Sequence, residues 1–336
     1  MKVLAIVEAI GLGHAVRTEA ALEEFKKRGW EIKVITSDAA VKFFRRNNIQ
    51  TIDVPLSMAV KESSGKLDIG KTVLENIKIS NLSVITKISS IIAKEKPDIV
   101  IVDTNIVGVM AARLYKRDIA PLIYITNDNV FSVARDVTSI KHGWSVISNF
   151  VQSAVDACVV PDFPPPYTIS EYNLTLWKKM AFVGPLTRLR SATLPKTKKG
   201  VFVTQGKSNI KNTKFTSFVK NQIKYTENDY EKKFLSSEIV VHHGGHTTAL
   251  ECILTEKPQI AIPFSGYTER INNSKKIEQL GLGRMLVVEW VDEETMNFAL
   301  DEVRSFKPTV KMFARFARTC GGPRKVYEIT ESLLKH

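Results

Sequence analysis

Short runs rich in Val and Ile alternate along this chain with longer segments in which apolar residues recur every three or four positions. The short runs have the length and composition of buried parallel strands, and the longer segments have the period of amphipathic helices. Parallel strands need crossover connections, which helices usually supply. The pattern therefore predicts an α/β protein built on parallel sheets.

The first half of the sequence contains strand-like runs with helical segments between them. The runs are VLAIV, IKVIT, TIDVP, DIVIVD and APLIYIT. Helices are predicted at 15–28, ended by Gly29, at 39–47, at 71–94 ahead of Pro97, and at 105–115. This order of elements predicts a doubly wound sheet in the first half.

A proline-bearing connector follows the run ACVVPDF and separates the two halves of the sequence. The alternation restarts with GVFVTQG, so the domain boundary is placed near Gly184 and Pro185. The later runs are VFVTQ, QIKYT, EIVVH, QIAIP and RMLVV, with helices predicted at 247–255, 269–280 and 292–305. We therefore predict two Rossmann-like domains, 1–184 and 185–322, that face a central cleft, and a final helix, 323–336.

Composition narrows the class of protein. A chain of 336 residues with 44% hydrophobic content has enough apolar surface for two cores. No apolar run approaches the roughly 20 residues of a spanning helix, and the first residues resemble a strand rather than a signal peptide, so a cytoplasmic location is predicted. The cysteines, Cys158, Cys252 and Cys320, lie far apart without metal-ligand spacing, so no disulfide framework is predicted.

The net charge of +13 favours anionic partners such as nucleotide phosphates or lipid head groups. The lysines are spread along the chain and no aromatic-rich basic motif is present, so no nucleic-acid partner is predicted. The segment NIKISNLSVITKISSIIAKEK has few acids and many apolar residues, which fits peripheral contact with an anionic membrane at its inner face. An ordinary packing helix explains the same pattern.

The segment VVHHGGHTTALE places two glycines between a strand-like run and a helix. Unpaired N–H groups of a first helical turn bind anions, and glycines at 244 and 245 let a phosphate approach the backbone. Thr247 and Thr248 either bind the same oxygens or cap the helix, and Glu251 either binds a ribose diol or pairs with the helix dipole. A metal site on the clustered histidines is the alternative, but no neighbouring carboxylate or cysteine completes it, so neither metal nor cofactor is predicted.

About forty residues from His243 resemble the donor-binding region of GT-B nucleotide-sugar glycosyltransferases. Those enzymes include the UDP-glycosyltransferases and the bacterial enzyme that adds N-acetylglucosamine to the peptidoglycan lipid precursor. The resemblance implies that His243 and Thr248 face the diphosphate and that Glu251 binds the ribose. Glu269 and Arg270 fall on the pair that touches the donor sugar, and Asn273 matches a following Asn. An acid with a guanidinium replaces the usual acid with an amide, so the donor sugar stays open and Arg270 has the alternative of neutralising a phosphate or an acidic sugar.

The resemblance continues in other glycine-rich segments. VFVTQGKSN resembles the opening of the family's second domain, and IKYTEND occupies the place of the loop that grips uracil. Only about thirty residues separate Gly206 from EIVVH, so the second sheet is expected to be trimmed. The last turn and helix resemble the GT-B tail that returns to the first domain. The residues predicted to bind the nucleotide sugar are Gly13, Gly206, Tyr225, Thr226, His243, Gly244, Gly245, Thr247, Thr248, Glu251, Glu269, Arg270 and Asn273.

The turn GLGH after the first strand lacks the third glycine of a dinucleotide fingerprint, since Val16 stands there. It resembles the first loop of GT-B enzymes, in which a histidine takes the acceptor proton, so His14 is the predicted base and Asp103 the carboxylate that orients it. The alternatives are a helix-start residue for His14 and a helix N-cap for Asp103. Asp128 follows another strand-like run and is predicted either to contact the acceptor or to form a plain turn.

The resemblance implies an inverting, metal-independent glycosyltransferase, specifically a hexosyltransferase. The expected donor is a nucleotide diphosphate sugar carrying UDP, and a lipid-linked hydroxyl is one expected acceptor. The helix at Thr247 would stabilise charge on the leaving diphosphate. Two alternatives share the fold: a UDP-sugar epimerase and a non-catalytic nucleotide-sugar-binding subunit of a glycosyltransferase complex.

Overall fold

The computed structural model describes residues 1–56, 62–63, 66–67, 80–114, 120–129, 147–204, 217–220 and 222–335. Within these residues the chain forms two parallel sheets, which confirms the predicted α/β class. Val and Ile dominate the central strands, where both sheet faces are buried, as expected for parallel sheets covered by helices. Among these residues no helix is long and apolar enough to cross a membrane.

The first sheet has seven parallel strands in the order β3-β2-β1-β6-β7-β8-β9. They are β1 (Lys2–Val7), β2 (Glu31–Thr36), β3 (Gln50–Asp53), β6 (Ile99–Asp103), β7 (Leu122–Ile125), β8 (Ala157–Val160) and β9 (Met180–Phe182). Two short strands, β4 (Glu62–Ser63) and β5 (Lys66–Leu67), pair with each other in antiparallel orientation. The helices are α1 (Gly13–Lys27), α2 (Asp38–Arg46), α3 (Ser80–Glu95), α4 (Ile106–Leu114) and α5 (147–154).

The second sheet has five parallel strands in the order β11-β10-β12-β13-β14. They are β10 (Val201–Thr204), β11 (Gln222–Ile223), β12 (Ile239–His242), β13 (Gln259–Ala261) and β14 (Gly283–Met285). The helices are α6 (Tyr230–Ser236), α7 (His246–Leu254), α8 (Thr268–Gln279), α9 (Glu293–Glu302), α10 (Lys307–Thr319) and α11 (Pro323–Leu334). Among the residues that the structure describes, this sheet is smaller than the first, as the spacing before EIVVH predicts.

Some predicted elements differ in length from the observed ones. The predicted helix at 71–94 is observed as Ser80–Glu95, and 71–79 lie outside the described residues. Of the predicted helix at 292–305, only Glu293–Glu302 is α-helical, and the 3₁₀-helix Val303–Phe306 continues it. The run RMLVV is a strand only to Met285, and a 3₁₀-helix begins at Val288.

The last helix, α11, packs against α1 of the first half. Tyr327 makes edge contacts with Phe25 and Trp30 at centroid distances of 5.2 and 6.1 Å. The chain reaches this position through Gly322, which has a φ of +56° and donates its N–H to the Val183 carbonyl. A Cβ on Gly184, φ +84°, would lie 2.2 Å from Cys320 Cβ, so the two connections between the halves lie directly against each other.

Candidate functional site

Two glycine-containing turns from different halves meet between the sheets. The first follows β1 and opens α1, and the second follows β12 and opens α7. Thr247 Oγ1 lies 3.4 Å from the Gly13 carbonyl oxygen, and a Cβ on Gly13 would stand 3.2 Å from the same hydroxyl. The predicted residues Gly13 and Thr247 are therefore in contact at the carboxyl edges of the two sheets, where ligands of open α/β sheets bind.

His14 and Asp103 lie side by side in the first turn. β1 pairs in parallel with β6, with Val7 opposite Asp103, so the end of β6 lies beside the turn that carries His14. His14 Nδ1 is 2.9 Å from Asp103 Oδ1. The Asp103 carboxylate is fully buried, whereas the His14 side chain is 21% exposed, so the imidazole can be reached from the cleft.

Asp103 does not cap the following helix. Asn105 does so, because its Oδ1 accepts the Gly108 N–H at 2.7 Å at the start of α4. Thr104, between them, has a φ of +50°, which is uncommon for a β-branched residue and occurs where the surroundings hold the backbone. Here the Thr104 N–H and hydroxyl both donate to the Ile125 carbonyl. The capping alternative for Asp103 is wrong.

Arg17 is a member of this cluster that the sequence analysis missed. It lies one turn after His14 on α1, is buried, and donates to both oxygens of Asp103, with Nε 2.7 Å from Oδ2. Thr18 Oγ1 donates to the same Oδ2 at 2.7 Å. Burial alone raises the pKa of Asp103, but Arg17, its hydrogen bonds and His14 outweigh burial and hold this pKa well below its ordinary value. The i, i+3 spacing of His14 and Arg17 was the available signal.

Glu8 anchors the backbone of the same turn. Its Oε1 accepts the N–H groups of Ala9 and Ile10 at 2.9 and 3.3 Å, and its Oε2 accepts from Asn105 Nδ2 at 2.9 Å. Burial raises the pKa of this carboxyl, while His14 and the hydrogen bonds oppose the shift. Glu8 therefore fixes the start of the loop that presents His14.

Gly244 is fixed tightly in the second turn. It has a φ of +73°, donates its N–H to His242 Nδ1 at 3.0 Å and accepts from Asn273 Nδ2 at 3.1 Å. A Cβ at this position would lie 2.4 Å from Ser274 Oγ and 2.7 Å from the Arg270 carbonyl oxygen. At Gly245, by contrast, a Cβ would meet nothing within 4 Å. Only Gly244 is required to be glycine by packing.

The clustered histidines have separate buried partners. His242 Nε2 donates to Gln259 Oε1 at 2.8 Å, and His243 Nδ1 donates to the Ile262 carbonyl at 3.2 Å. Burial lowers the pKa of each of these two imidazoles to about 4, so both are neutral near pH 7. His246 Nε2 lies 2.9 Å from Asp162 Oδ2.

Asp162 corrects the expectation that no carboxylate lies near these histidines. It comes from the connector of the first half and also accepts from the backbone N–H groups of Phe163, Ile169 and Ser170. Within the described ranges no three His, Cys, Asp or Glu side chains are arranged to hold a metal ion.

The first turn of α7 carries the remaining predicted phosphate and ribose residues. The helix begins at His246 with Gly245 as its N-cap, so the alternative that Thr247 is the cap is wrong. Thr247 and Thr248 are half-buried. Glu251 is buried and its Oε1 accepts the Thr187 hydroxyl at 2.9 Å. Burial raises the pKa of Glu251 to about 7.

The predicted sugar-contact residues lie at the start of α8. Glu269 Oε1 accepts from Asn127 Nδ2 at 2.9 Å and from Asn273 Nδ2 at 3.3 Å, so both halves of the chain hold this carboxylate. The Arg270 guanidinium lies over the Tyr267 ring, 4.8 Å from its centroid. Three polar residues, Asn127, Asp128 and Asn129, follow β7, and Asn127 is the one that contacts Glu269. Asp128 donates its N–H to Thr126 Oγ1 within the turn.

The residues predicted to hold the base lie further along the second sheet. Tyr225 stacks on Phe202 with ring centroids 4.4 Å apart, and Thr226 donates its N–H and hydroxyl to Asp229 Oδ1. These contacts order the loop through its own side chains. Gly206, with its neighbours Gln205, Lys207 and Ser208, lies outside the described residues.

Two family models match the chain and together span most of it. The model described as "Glycosyl transferase family 1" matches residues 1–173, which is more than half of the chain. The model described as "Glycosyltransferase family 28 C-terminal domain" matches residues 186–319.

Relatives match across both halves. A protein of Methanosarcina mazei named as an uncharacterized glycosyltransferase is 25% identical over 98% of each chain. The UDP-N-acetylglucosamine–N-acetylmuramyl-(pentapeptide) pyrophosphoryl-undecaprenol N-acetylglucosamine transferase of Thermosipho africanus is 28% identical over 63% of this chain and 66% of its own. Among solved structures, a spinosyn rhamnosyltransferase complexed with thymidine diphosphate superposes with a TM-score of 0.70 and 12% identity, covering 98% of this chain and all of that one.

Proposed function

Because the chain belongs to the GT-B glycosyltransferases of families 1 and 28, we propose that it is an inverting enzyme that moves a hexose from a UDP-sugar to an acceptor hydroxyl. The GT-B fold and the family resemblance inferred from the sequence are confirmed. The observation that carries the finer proposal is the His14–Asp103 pair, in which the His14 side chain is 21% exposed and Asp103 is buried. The turn that holds this pair contacts, through Gly13, the helix that opens at His246.

The second half would hold the donor. Backbone N–H groups at the start of α7 and the hydroxyls of Thr247 and Thr248 offer hydrogen bonds to a diphosphate, and His243 adds a neutral imidazole beside them. This arrangement needs no metal ion to hold the diphosphate, so we propose metal-independent transfer. Glu251 would accept from the ribose hydroxyls. Gly206 and the loop at Tyr225 and Thr226 complete the proposed nucleotide site, while Glu269, Arg270 and Asn273 form the sugar end.

In the proposed reaction His14 Nε2 takes the proton of the acceptor hydroxyl. The acceptor oxygen bonds to the anomeric carbon as the bond from that carbon to the diphosphate oxygen breaks, so a single displacement inverts the configuration. Negative charge then collects on the leaving nucleoside diphosphate. The positive end of the α7 dipole and its unpaired N–H groups stabilise that charge in place as it develops.

The acceptor side is proposed on the first half. Asp128 lies at the end of β7, and a lipid-linked hydroxyl at the inner face of a membrane remains our proposed acceptor class, given the net charge of +13. The described part of the segment NIKISNLSVITKISSIIAKEK buries Ile85, Ile88 and Ile92 in the core, as a packing helix does. Flotation with anionic and neutral liposomes at two salt concentrations tests the proposal. Failure to bind the liposomes at either salt concentration would favour a soluble acceptor.

A thermal-shift screen of UDP, GDP, thymidine diphosphate and their sugars tests the donor. The best donor is then assayed for hydrolysis and transfer with the wild type and with His14→Ala. We expect stabilisation by UDP and loss of turnover without loss of binding in the variant. Conversion of a UDP-sugar to its epimer would identify an epimerase instead. Full turnover by His14→Ala would show that His14 is not the general base. Absence of stabilisation by any nucleotide would refute the proposal.

A further inference from the structure

The guanidinium of Arg17 lies against His14, Asp103, Thr104 and Asn127. Nε and Nη2 donate to the two oxygens of Asp103, Nη2 also donates to Thr104 Oγ1 at 2.6 Å, and Nη1 donates to Asn127 Oδ1. Nη2 also lies 3.0 Å from His14 Nδ1, about as close as Asp103 Oδ1 does. Whether His14 Nδ1 carries a proton therefore depends on whether Arg17 Nη2 donates to it or to its other neighbours.

A count of protons settles this point. Each terminal nitrogen of a guanidinium carries two N–H bonds. The single Thr104 hydroxyl proton goes to the Ile125 carbonyl, so Thr104 Oγ1 must accept from Nη2. The second Nη2 proton goes to Asp103 Oδ1, and none remains for His14. His14 Nδ1 therefore carries a proton and donates to Asp103, which leaves Nε2 as the free acceptor that a general base needs.

The same cation opposes excess charge around the imidazole. Three charged groups face His14: Asp103 from β6, Arg17 from α1 and Glu8 from the end of β1. Arg17 Nη2 lies at nearly the same distance from His14 Nδ1 as Asp103 Oδ1 does, so the carboxylate that orients the ring is itself paired with a guanidinium.

Arg17 also fixes the amide of Asn127. A guanidinium can only donate, so the side-chain oxygen of Asn127 must face Arg17 and its NH₂ group must face the other way. That NH₂ group donates to Glu269 Oε1 at 2.9 Å. Arg17 is thereby connected, through the amide of Asn127, to the carboxylate of Glu269 in the second half.

We propose that Arg17 is a positioning residue with two arms, one that sets the proton of His14 through Asp103 and one that orients Glu269 toward the donor sugar through Asn127. The inference rests on the proposed function, since it assigns Arg17 to the same site. Arg17 itself does not touch the reacting atoms, so its two arms are tested separately.

The first arm is tested by nitrogen NMR of the full protein labelled with ¹⁵N-histidine, which carries only six histidines. His14→Gln identifies the His14 signals. We expect the neutral imidazole of the wild type to carry its proton on Nδ1 and none on Nε2, and Arg17→Met to lose this single tautomer, because Arg17 no longer holds Asp103 against His14. Arg17→Lys keeps a cation beside Asp103 and should restore the Nδ1–H tautomer. A wild-type Nε2–H tautomer, or an unchanged tautomer in Arg17→Met, would overturn this arm.

The second arm is tested by donor kinetics. Asn127→Ala and Arg17→Lys should each raise the donor KM about tenfold, because a lysine cannot span Asp103 and Asn127 together. Asn127→Ala should leave the His14 tautomer unchanged. Lys26→Met removes an exposed cation from α1 and is the matched control. Wild-type KM in both Asn127→Ala and Arg17→Lys overturns the second arm, even if Arg17→Met does not fold.

These readouts separate the two proposals. The tautomer of His14 is measured without substrate. If no nucleotide sugar is turned over by the wild type, the proposed function fails while the first arm is still decided. If turnover requires His14 but Arg17→Met leaves both the His14 tautomer and the donor KM unchanged, the assignment of Arg17 alone fails.

Discussion

The two turns that meet in the cleft have the same local architecture, but the first contains charged side chains and the second contains neutral ones. Each follows a buried parallel strand, contains glycine and histidine, and opens a helix. In the first turn an ionised carboxylate and a guanidinium surround a histidine whose side chain is 21% exposed. In the second turn burial keeps His242 and His243 neutral, and Gly244 is held by amide and imidazole contacts.

The difference shows how one local design serves two tasks. A base must gain and lose a proton in reach of substrate, so it needs fixed charges that orient it and tune its basicity. A site for a diphosphate gains from backbone N–H groups that need no reorganisation when the anion arrives. Similar sequence around glycine and histidine therefore does not imply similar chemistry.

Substitution of one histidine in each turn should distinguish the functions of the two turns most clearly. We expect His14→Ala to lower kcat about 1,000-fold, the range of general-base catalysis, with unchanged affinity for UDP. His243→Ala should instead weaken UDP binding, because that ring lies beside the phosphate turn. Single-turnover kinetics and calorimetry measure the two quantities. Equal losses of kcat and affinity in both variants would erase the proposed division of tasks.

The two adjacent glycines of the second turn form a matched pair. Gly244→Ala places a Cβ against Ser274 and the Arg270 carbonyl at a positive φ, so we expect a loss of about 2–4 kcal/mol in the free energy of unfolding. Gly245→Ala meets no neighbour and should change stability by about 0.5 kcal/mol or less. Urea unfolding followed by circular dichroism measures both. Similar losses in the two variants would contradict the packing at Gly244.

The ionisation of Glu251, in the helix that follows the second turn, predicts that UDP affinity depends on pH. Its pKa is raised to about 7, and a protonated carboxyl accepts ribose hydroxyls less well than the carboxylate. UDP affinity should therefore fall about tenfold between pH 8 and pH 6, and Glu251→Gln should remove this dependence. Thymidine diphosphate, which lacks the 2′-hydroxyl, controls for phosphate titration in calorimetry. A pH dependence that persists in Glu251→Gln would exclude this carboxyl as its source.

The smallest effect concerns the neutral state of His242. Its folded pKa of about 4 lies below the ordinary value of 6.5, so the unfolded chain binds the proton more tightly. Stability from this group is complete above pH 6.5 and is lost as the pH falls toward 4. We expect His242→Gln to cost about 1 kcal/mol at pH 7 and to flatten the decline in unfolding free energy over that interval. An unchanged slope would show that His242 does not titrate there.

The sequence predicted the parts of the fold that depend on local periodicity. The alternation of apolar runs and helical segments placed most strands and both glycine turns, because strand ends and helix starts are encoded within a few residues. Lengths were less certain: the run RMLVV is a strand only at Gly283–Met285, and a 3₁₀-helix follows at Val288. The apolar pattern alone does not mark where the chain leaves the sheet.

The site was predictable only where residues follow strands directly. His14 and Asp103 come together because their strands are neighbours in the sheet, and the pair was predicted from the resemblance to GT-B enzymes. Arg17, Asn127 and Asp162 were missed as partners, since each contact joins elements far apart in the sequence. In the sequence alone, Arg17 resembles an ordinary surface arginine, because its buried partner Asp103 is known only from the structure.

The return of α11 to the first half has a consequence for biosynthesis. Val326 and Tyr327 belong to the same buried cluster as Phe25 and Trp30, although nearly the whole chain separates them. On the ribosome, this patch near the start of the chain is made first and its cover is made last. The nascent first half therefore keeps an apolar surface open until translation has passed residue 327, a period in which chaperones or premature association would compete for it.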